Sequence, residues 1–174
     1  HLGDLGRAAV RRRGAHGRAL ELAAQGGRAV APHAHDGAQL QEGQAGDLAI
    51  VDTLTGLTNR EGFMMLAGYG LNLCARQQIP ASVITLDLDG FSHINRNLGH
   101  AAGNRVLKDF SKLMKATYRT SDIFARVDGD RFVALLIDTS QDQAERLMAR
   151  FNTALDAYNS QSDLGFGIRF SHGI

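Results

Sequence analysis

Two carboxylates far apart in the chain, Asp87 and Asp130, are the side chains best suited to chemistry. Asp87 lies near the end of the apolar, β-branched run Ser82 to Leu88, and Asp130 lies in the turn Asp128-Gly129-Asp130 between two further β-rich runs. If those strands are neighbours, the two carboxylates and the Leu88 carbonyl supply hard oxygen ligands for Mg2+. Mg2+ held by a couple of carboxylates usually binds substrate phosphates as well. On spacing alone, ordinary turn chemistry is the better reading of both aspartates. Arg119 and Asp122 form a second charged pair shortly before the turn. In isolation Arg-x-x-Asp is a weak motif, which a helix-to-strand turn with charges facing water also explains.

The elements that must position these residues follow from periodicity. Thr58 or Asn59 can cap a helix in which Phe63, Leu66, Leu73 and Cys74 recur at roughly helical spacing to about Gln78, although Gly68 and Gly70 weaken it. Ser82 to Leu88 reads as a buried central strand. Its acidic end sits where α/β sheets commonly place ligands. Phe91 to Gly103 is a loop or short helix. An amphipathic helix follows, with Val106, Leu107, Phe110, Leu113, Met114 and Thr117 on one face. Asp-Gly between the runs Ile123 to Val127 and Phe132 to Ile137 is a strong hairpin signal. Ser140 and Gln143 make a capping-box pattern, and Ala144, Leu147, Met148, Phe151 and Leu155 form the buried stripe of the next helix. Leu164, Phe166, Ile168 and Phe170 alternate as a last strand. The expected fold is α+β, an α/β sandwich with a central mixed β-sheet flanked by helices.

Composition narrows the class. The chain has 174 residues, 44% hydrophobic and 21% charged, with a net charge of +1, which gives no drive toward nucleic acid. Its single cysteine, Cys74, rules out an internal disulfide and fits a reducing, cytoplasmic setting. No apolar run approaches the roughly 18 residues needed to span a bilayer. Residues 1–46 lack aromatics, Ile and Lys, and read as a low-complexity linker or tail with one short helix over 18–25. His33 and His35 lack the companions of a metal site, and the run Arg11-Arg12-Arg13 reads as solvated. The globular domain is expected over 47–174.

The motifs together carry a resemblance. Asp52-x-Leu54-Thr55-Gly56-Leu57-x-Asn59-Arg60 is followed by Asp87-x-Asp89-x-Phe91, Ile94-Asn95 and Gly99-His100-x-x-Gly103. Last comes Arg126-x-Asp128-Gly129-Asp130-Arg131-Phe132. In order and spacing this resembles the GGDEF family, the diguanylate cyclases, across roughly residues 47–174. The resemblance implies a fold like the palm of the nucleotide cyclases. It also implies an activity in which two domains, each holding one GTP, make cyclic di-GMP with Mg2+. By this likeness Asp87, Asp130 and the Leu88 carbonyl match the metal ligands. Asn95 matches the asparagine that reads the guanine edge, and Gly129 matches a glycine lying close to the nucleotide. Arg119 and Asp122 match the offset of the product-binding inhibitory site. There Arg can bond to guanine O6 and N7, and Asp can accept from guanine N–H groups.

The departures from the family pattern all point one way. Arg131 stands where the family has a glutamate implicated in metal binding and catalysis, so the charge beside the cation is reversed. Asp128 replaces the first glycine of the signature. Ser92 replaces a phosphate-contacting lysine, and Asn104 replaces an aspartate that accepts from guanine. The chain also stops before the family's last helix and strand. Loss of one preorganised electrostatic contact typically costs about 100- to 1000-fold in rate. Asp128 and Arg131 otherwise read as a surface hairpin with a weak local ion pair. The expectation is a degenerate, inactive domain in a bacterial signalling protein. It would bind cyclic di-GMP at Arg119 and Asp122 and work beside a sensor or phosphodiesterase domain. The alternatives are a weakly active cyclase, a GTP-binding module that does not cyclise, and a structural dimerisation domain.

Overall fold

Asn59 starts the first helix of the described residues: its side-chain oxygen accepts from the Gly62 N–H at 2.9 Å, satisfying one of the unpaired donors at a helix N-terminus. The computed structural model describes residues 49–174. The expected linker, the helix over 18–25, the two histidines, the arginine run and the domain start at Asp47 lie outside the described residues. Helix α1 (Arg60–Gln77) leads to strand β1 (Ala81–Leu88). Helices α2 (Phe91–Leu98) and α3 (His100–Thr117) come next, then the hairpin of β2 (Ile123–Asp128) and β3 (Arg131–Ile137). Helix α4 (Gln141–Gln161) and strand β4 (Phe170–Gly173) complete the described chain. Ser140 and Gln143 do form the capping box, with Ser140 N donating to Gln143 Oε1 at 2.7 Å.

The four strands lie in the order β2-β3-β1-β4. The α+β class stands, but the expected mixed sheet is corrected: all three strand pairings are antiparallel, and parallel character is confined to the isolated bridge Thr58–Ala125. Strand β1 sits between partners from much later in the chain. Its register against β3 runs from Ala81 opposite Ile137 to Asp87 opposite Arg131. Ile84, Leu86 and Leu88 face the larger core, with Phe132, Ala134 and Leu136 beside them and α3 and α4 above. Val133 and Leu135 face the other way, onto Phe63 and Ala67 of α1. Strand β3 is therefore apolar on both faces, which is why its sequence runs without alternation.

Phe110 organises the larger core. Its ring centroid lies 5.0 Å from Phe132 and 5.3 Å from Phe151, the latter edge-on, as aromatic quadrupoles prefer. Helix α1 tolerates Gly70 because the helix approaches the sheet there: an added Cβ would come within 2.9 Å of Ile137 and 3.2 Å of Leu135. The expected alternating strand from Leu164 is shorter than its pattern. Gly165 sits at φ +75°, and the Asn159 side chain both accepts from the Ile168 N–H at 2.8 Å and donates to the Ile168 carbonyl at 2.9 Å. One amide thus takes the bonds that a neighbouring strand would make, and pairing to β1 begins only at Phe170.

The N-terminal turn is tied to the hairpin through Asp52. Its carboxylate accepts from Thr55 N at 3.0 Å, Thr55 Oγ1 at 2.6 Å and Arg126 Nη1 at 3.2 Å. Burial alone would raise the Asp52 pKa, but the Thr55 hydrogen bonds and the Arg126 charge outweigh it and hold the group below its ordinary value. A depressed carboxylate stabilises the fold above its unfolded pKa and loses that stabilisation as pH falls through the folded one. Asp52→Asn is expected to cost about 1–2 kcal/mol at neutral pH, with the gap to the parent closing below about pH 4. Urea unfolding across pH measures it.

Candidate functional site

The functional candidates gather at one end of the sheet, where β1 stops and the hairpin turns. Asp87 is paired in register with Arg131, and the Leu88 N–H donates to the Asp130 carbonyl at 3.1 Å. Asp87 and Asp130 therefore do lie on neighbouring strands, as the spacing requires. Beside Asp87 stands a cation of the protein's own: Arg131 Nε lies 3.5 Å from Asp87 Oδ1. Arg131 thus pairs across strands with Asp87, in place of the local ion pair of the surface-hairpin alternative. The two side chains are 32% and 54% exposed, so the pair adds little stability. What it alters is the local field, because a positive charge sits beside the Asp87 carboxylate. Among the described residues no group of three or more His, Cys, Asp or Glu side chains is arranged to hold a metal ion.

The turn itself is braced from behind. Arg126 Nε donates to the Gly129 carbonyl at 2.7 Å, while its Nη1 reaches Asp52. Gly129 is exposed at φ +25°, and an added Cβ would meet nothing within 4 Å. Arg126 and Asp52 were quoted only as motif residues in the sequence. Their contact joins positions 74 residues apart, and no local pattern announces it.

Asn95 lies on α2 and Asn104 on α3, separated by the Gly99 break. Gly103 carries the geometry here. A Cβ on it would collide with the Asn95 amide and come within 3.3 Å of the Phe91 ring. Glycine at 103 thus leaves open the space that the Asn95 amide occupies. Asn104, next in sequence, opens onto a concavity of about 530 Å³ lined by Arg105, Lys108, Asp109 and Lys112. Asp109 accepts from Tyr158 Oη at 2.6 Å and holds Lys112 at 3.2 Å, which offsets part of that positive charge.

Arg119 and Asp122 are brought together, but as unequal partners. Arg119 is exposed, whereas Asp122 is 8% exposed. The Asp122 carboxylate accepts the Arg119 backbone N–H at 2.8 Å, and the Asp122 N–H donates back to the Arg119 carbonyl at 3.0 Å. Burial raises the Asp122 pKa against the opposing effects of that hydrogen bond and of Arg119 and Arg150. Tyr118, buried beside it, is pushed up by burial and by the Asp122 charge. Asp122 and Lys115 also line an open concavity of about 380 Å³.

Against known proteins, the family model described as "Diguanylate cyclase, GGDEF domain" matches residues 49–174. The chain belongs to the GGDEF family. It is 37% identical over 103 residues to the cyclic di-GMP phosphodiesterase NbdA of Pseudomonas aeruginosa, covering 59% of this chain and 13% of that protein. It is 33% identical over 108 residues to the diguanylate cyclase DgcS of Shewanella oneidensis, covering 60% and 36%. The chain thus spans well under half the length of either relative. Among solved structures, the isolated GGDEF domain of TpbB (YfiN) from Pseudomonas aeruginosa is similar, with a TM-score of 0.63, 29% identity, and 70% and 72% of the two chains covered. A GGDEF fold accounts for the α+β sandwich and for the end of the sheet at which the candidates collect.

No helix among the described residues of this GGDEF domain is long and apolar enough to cross a membrane. Because the Asn95 amide occupies the space beside Gly103, Gly103→Ala should cost about 1–3 kcal/mol through overpacking, read as a lower melting temperature. Gly99→Ala lacks that collision, since a Cβ there meets nothing within 4 Å, but it sits at φ +84°. Its cost is expected to come from backbone strain alone, without a change in the amide resonances of Asn95.

Proposed function

We propose that this GGDEF domain does not make cyclic di-GMP, and that it serves as a regulatory module which binds cyclic di-GMP through Arg119 and Asp122 inside a longer signalling protein. The observation that carries the first half is the Arg131–Asp87 contact. The family's Mg2+ site needs converging carboxylates, and here a guanidinium opposes one of the two that remain. The donor set, with Asp87 engaged by Arg131 and only Asp130 and the Leu88 carbonyl left to it, does not fit a divalent cation that demands near-ideal oxygen geometry. Without that charge there is no neutralisation of a triphosphate, and Asp128 adds a further negative group at the turn.

The second half rests on a site that is shaped but still open. Asp122 is held in place by the Arg119 backbone, which fixes its carboxylate, while the Arg119 side chain stays exposed and free to swing onto a base. The similar proteins NbdA and DgcS are named for breaking and making cyclic di-GMP. Their greater length supports a neighbouring sensor or phosphodiesterase domain as the element regulated. Retention of GTP by Asn95 is a second reading, supported by the basic concavity beside Asn104.

Two measurements test the proposal. With GTP and Mg2+ the domain is expected to yield no cyclic di-GMP above a no-protein control, and sustained product would refute inactivity. Calorimetry with cyclic di-GMP should show binding that Arg119→Ala weakens at least about tenfold, the scale of a lost charge-assisted contact to a base. Binding indifferent to Arg119 would remove the site. The pH dependence has a definite sign. Because the Asp122 pKa is raised, its carboxylate protonates above the ordinary carboxylate range, so cyclic di-GMP binding should begin to weaken on acidification before an unperturbed aspartate would lose its charge.

A further inference from the structure

Helix α1 is apolar on two sides. Phe63, Ala67 and Cys74 are buried, yet Met65, Tyr69 and Leu73 are 44%, 72% and 43% exposed. Singly exposed apolar side chains are ordinary, but these three stand four residues apart and form one continuous ridge along the helix. Beside the centre of the ridge lies Gly68, where an added Cβ would meet nothing within 4 Å. The ridge is closed by opposite charges: exposed Glu61 one turn before Met65, and exposed Arg76 one turn after Leu73.

We propose that this ridge is a two-fold contact with a second copy of the chain, made by two α1 helices running antiparallel. The charge order selects both the occupant and the direction. With the axis between Gly68 and Tyr69, each Tyr69 ring falls over Gly68 of the second copy, and each Glu61 falls opposite Arg76. A parallel pairing would set Glu61 against Glu61 and Arg76 against Arg76. A two-fold contact uses one patch on both subunits, so a ridge with a notch at its centre and opposite charges at its ends is complementary to itself. Rows of residues spaced four apart interlock at a crossing angle of about 50°, with Gly68 as the gap that admits the ring. One helix face buries less than the roughly 1,200 Å² of a standard stable interface, so the dimer is weak and concentration-dependent. The contact uses none of the residues at the hairpin, at Asn95 or at Arg119.

Sedimentation equilibrium of the whole chain over a range of concentrations tests this, with three variants. Gly68→Gln improves the helix and has room in the monomer, so its melting temperature should not fall, while the dimer should weaken, its Kd rising about tenfold or more as the notch closes. Glu61→Arg should weaken the dimer, and Glu61→Arg combined with Arg76→Glu should restore it, a reversal that only antiparallel pairing of like chains produces. A chain that stays monomeric at every concentration overturns the proposal. So does a dimer that ignores Gly68→Gln, or a double charge swap that fails to recover association.

Discussion

The antiparallel register of β1 on β3 is the constraint from which the rest of this domain follows. It matches Ala81 with Ile137 at one end and Asp87 with Arg131 at the other, and a shift of one residue would turn every core side chain toward the wrong face. Ile84, Leu86, Phe132 and Ala134 are nearly or fully buried, so such a slip is heavily penalised. The functional consequence is that Arg131 has no freedom to leave Asp87's neighbourhood. Its backbone is fixed by the same ladder that holds the core.

Around that ladder the domain divides into a firm scaffold and a peripheral set of polar links. The scaffold is aromatic: Phe110, Phe132, Phe151 and Phe170 touch one another across two helices and two strands. The links are local in chemistry and distant in sequence. Asp52 joins Arg126, Thr58 Oγ1 donates to the Phe124 carbonyl at 2.7 Å, and Asn159 clasps Ile168. Each satisfies backbone or carboxylate groups that would otherwise be left without partners at the sheet's margins. The hairpin thus has its shape held from outside the turn, by Arg126 and Asp52. The residues that hold the turn are distinct from Asp128, Asp130 and Arg131 within it.

The two ligand regions have opposite electrostatic characters. At the hairpin, the Arg131 guanidinium lies 3.5 Å from the partly exposed Asp87 carboxylate. At Arg119 and Asp122, burial and a backbone hydrogen bond hold a carboxylate in place while the guanidinium remains outside. The supporting contacts of the two regions are separate: Arg126 holds the Gly129 carbonyl, and the Arg119 backbone holds Asp122.

Much of this was legible in the sequence because it is local. The caps at Asn59 and Ser140, the Asp-Gly hairpin, the apolar face of α3 and the family motifs each depend on residues within a few positions of one another. The sequence likewise showed that Arg131 reverses a charge, because residue type alone decides that. Which group receives the reversed charge was decided only by the tertiary structure. A hairpin pairing with Asp128 and a cross-strand pairing with Asp87 are equally compatible with the chain, and sheet order and register select the second. Strand β4 shows the same limit. Its alternation began at Leu164, but Asn159, from the preceding helix, captured the Ile168 backbone first. The expected mixed sheet proved antiparallel because both neighbours of β1, β3 and β4, come from much later in the chain and run against it, and long-range order of this kind leaves no periodic trace.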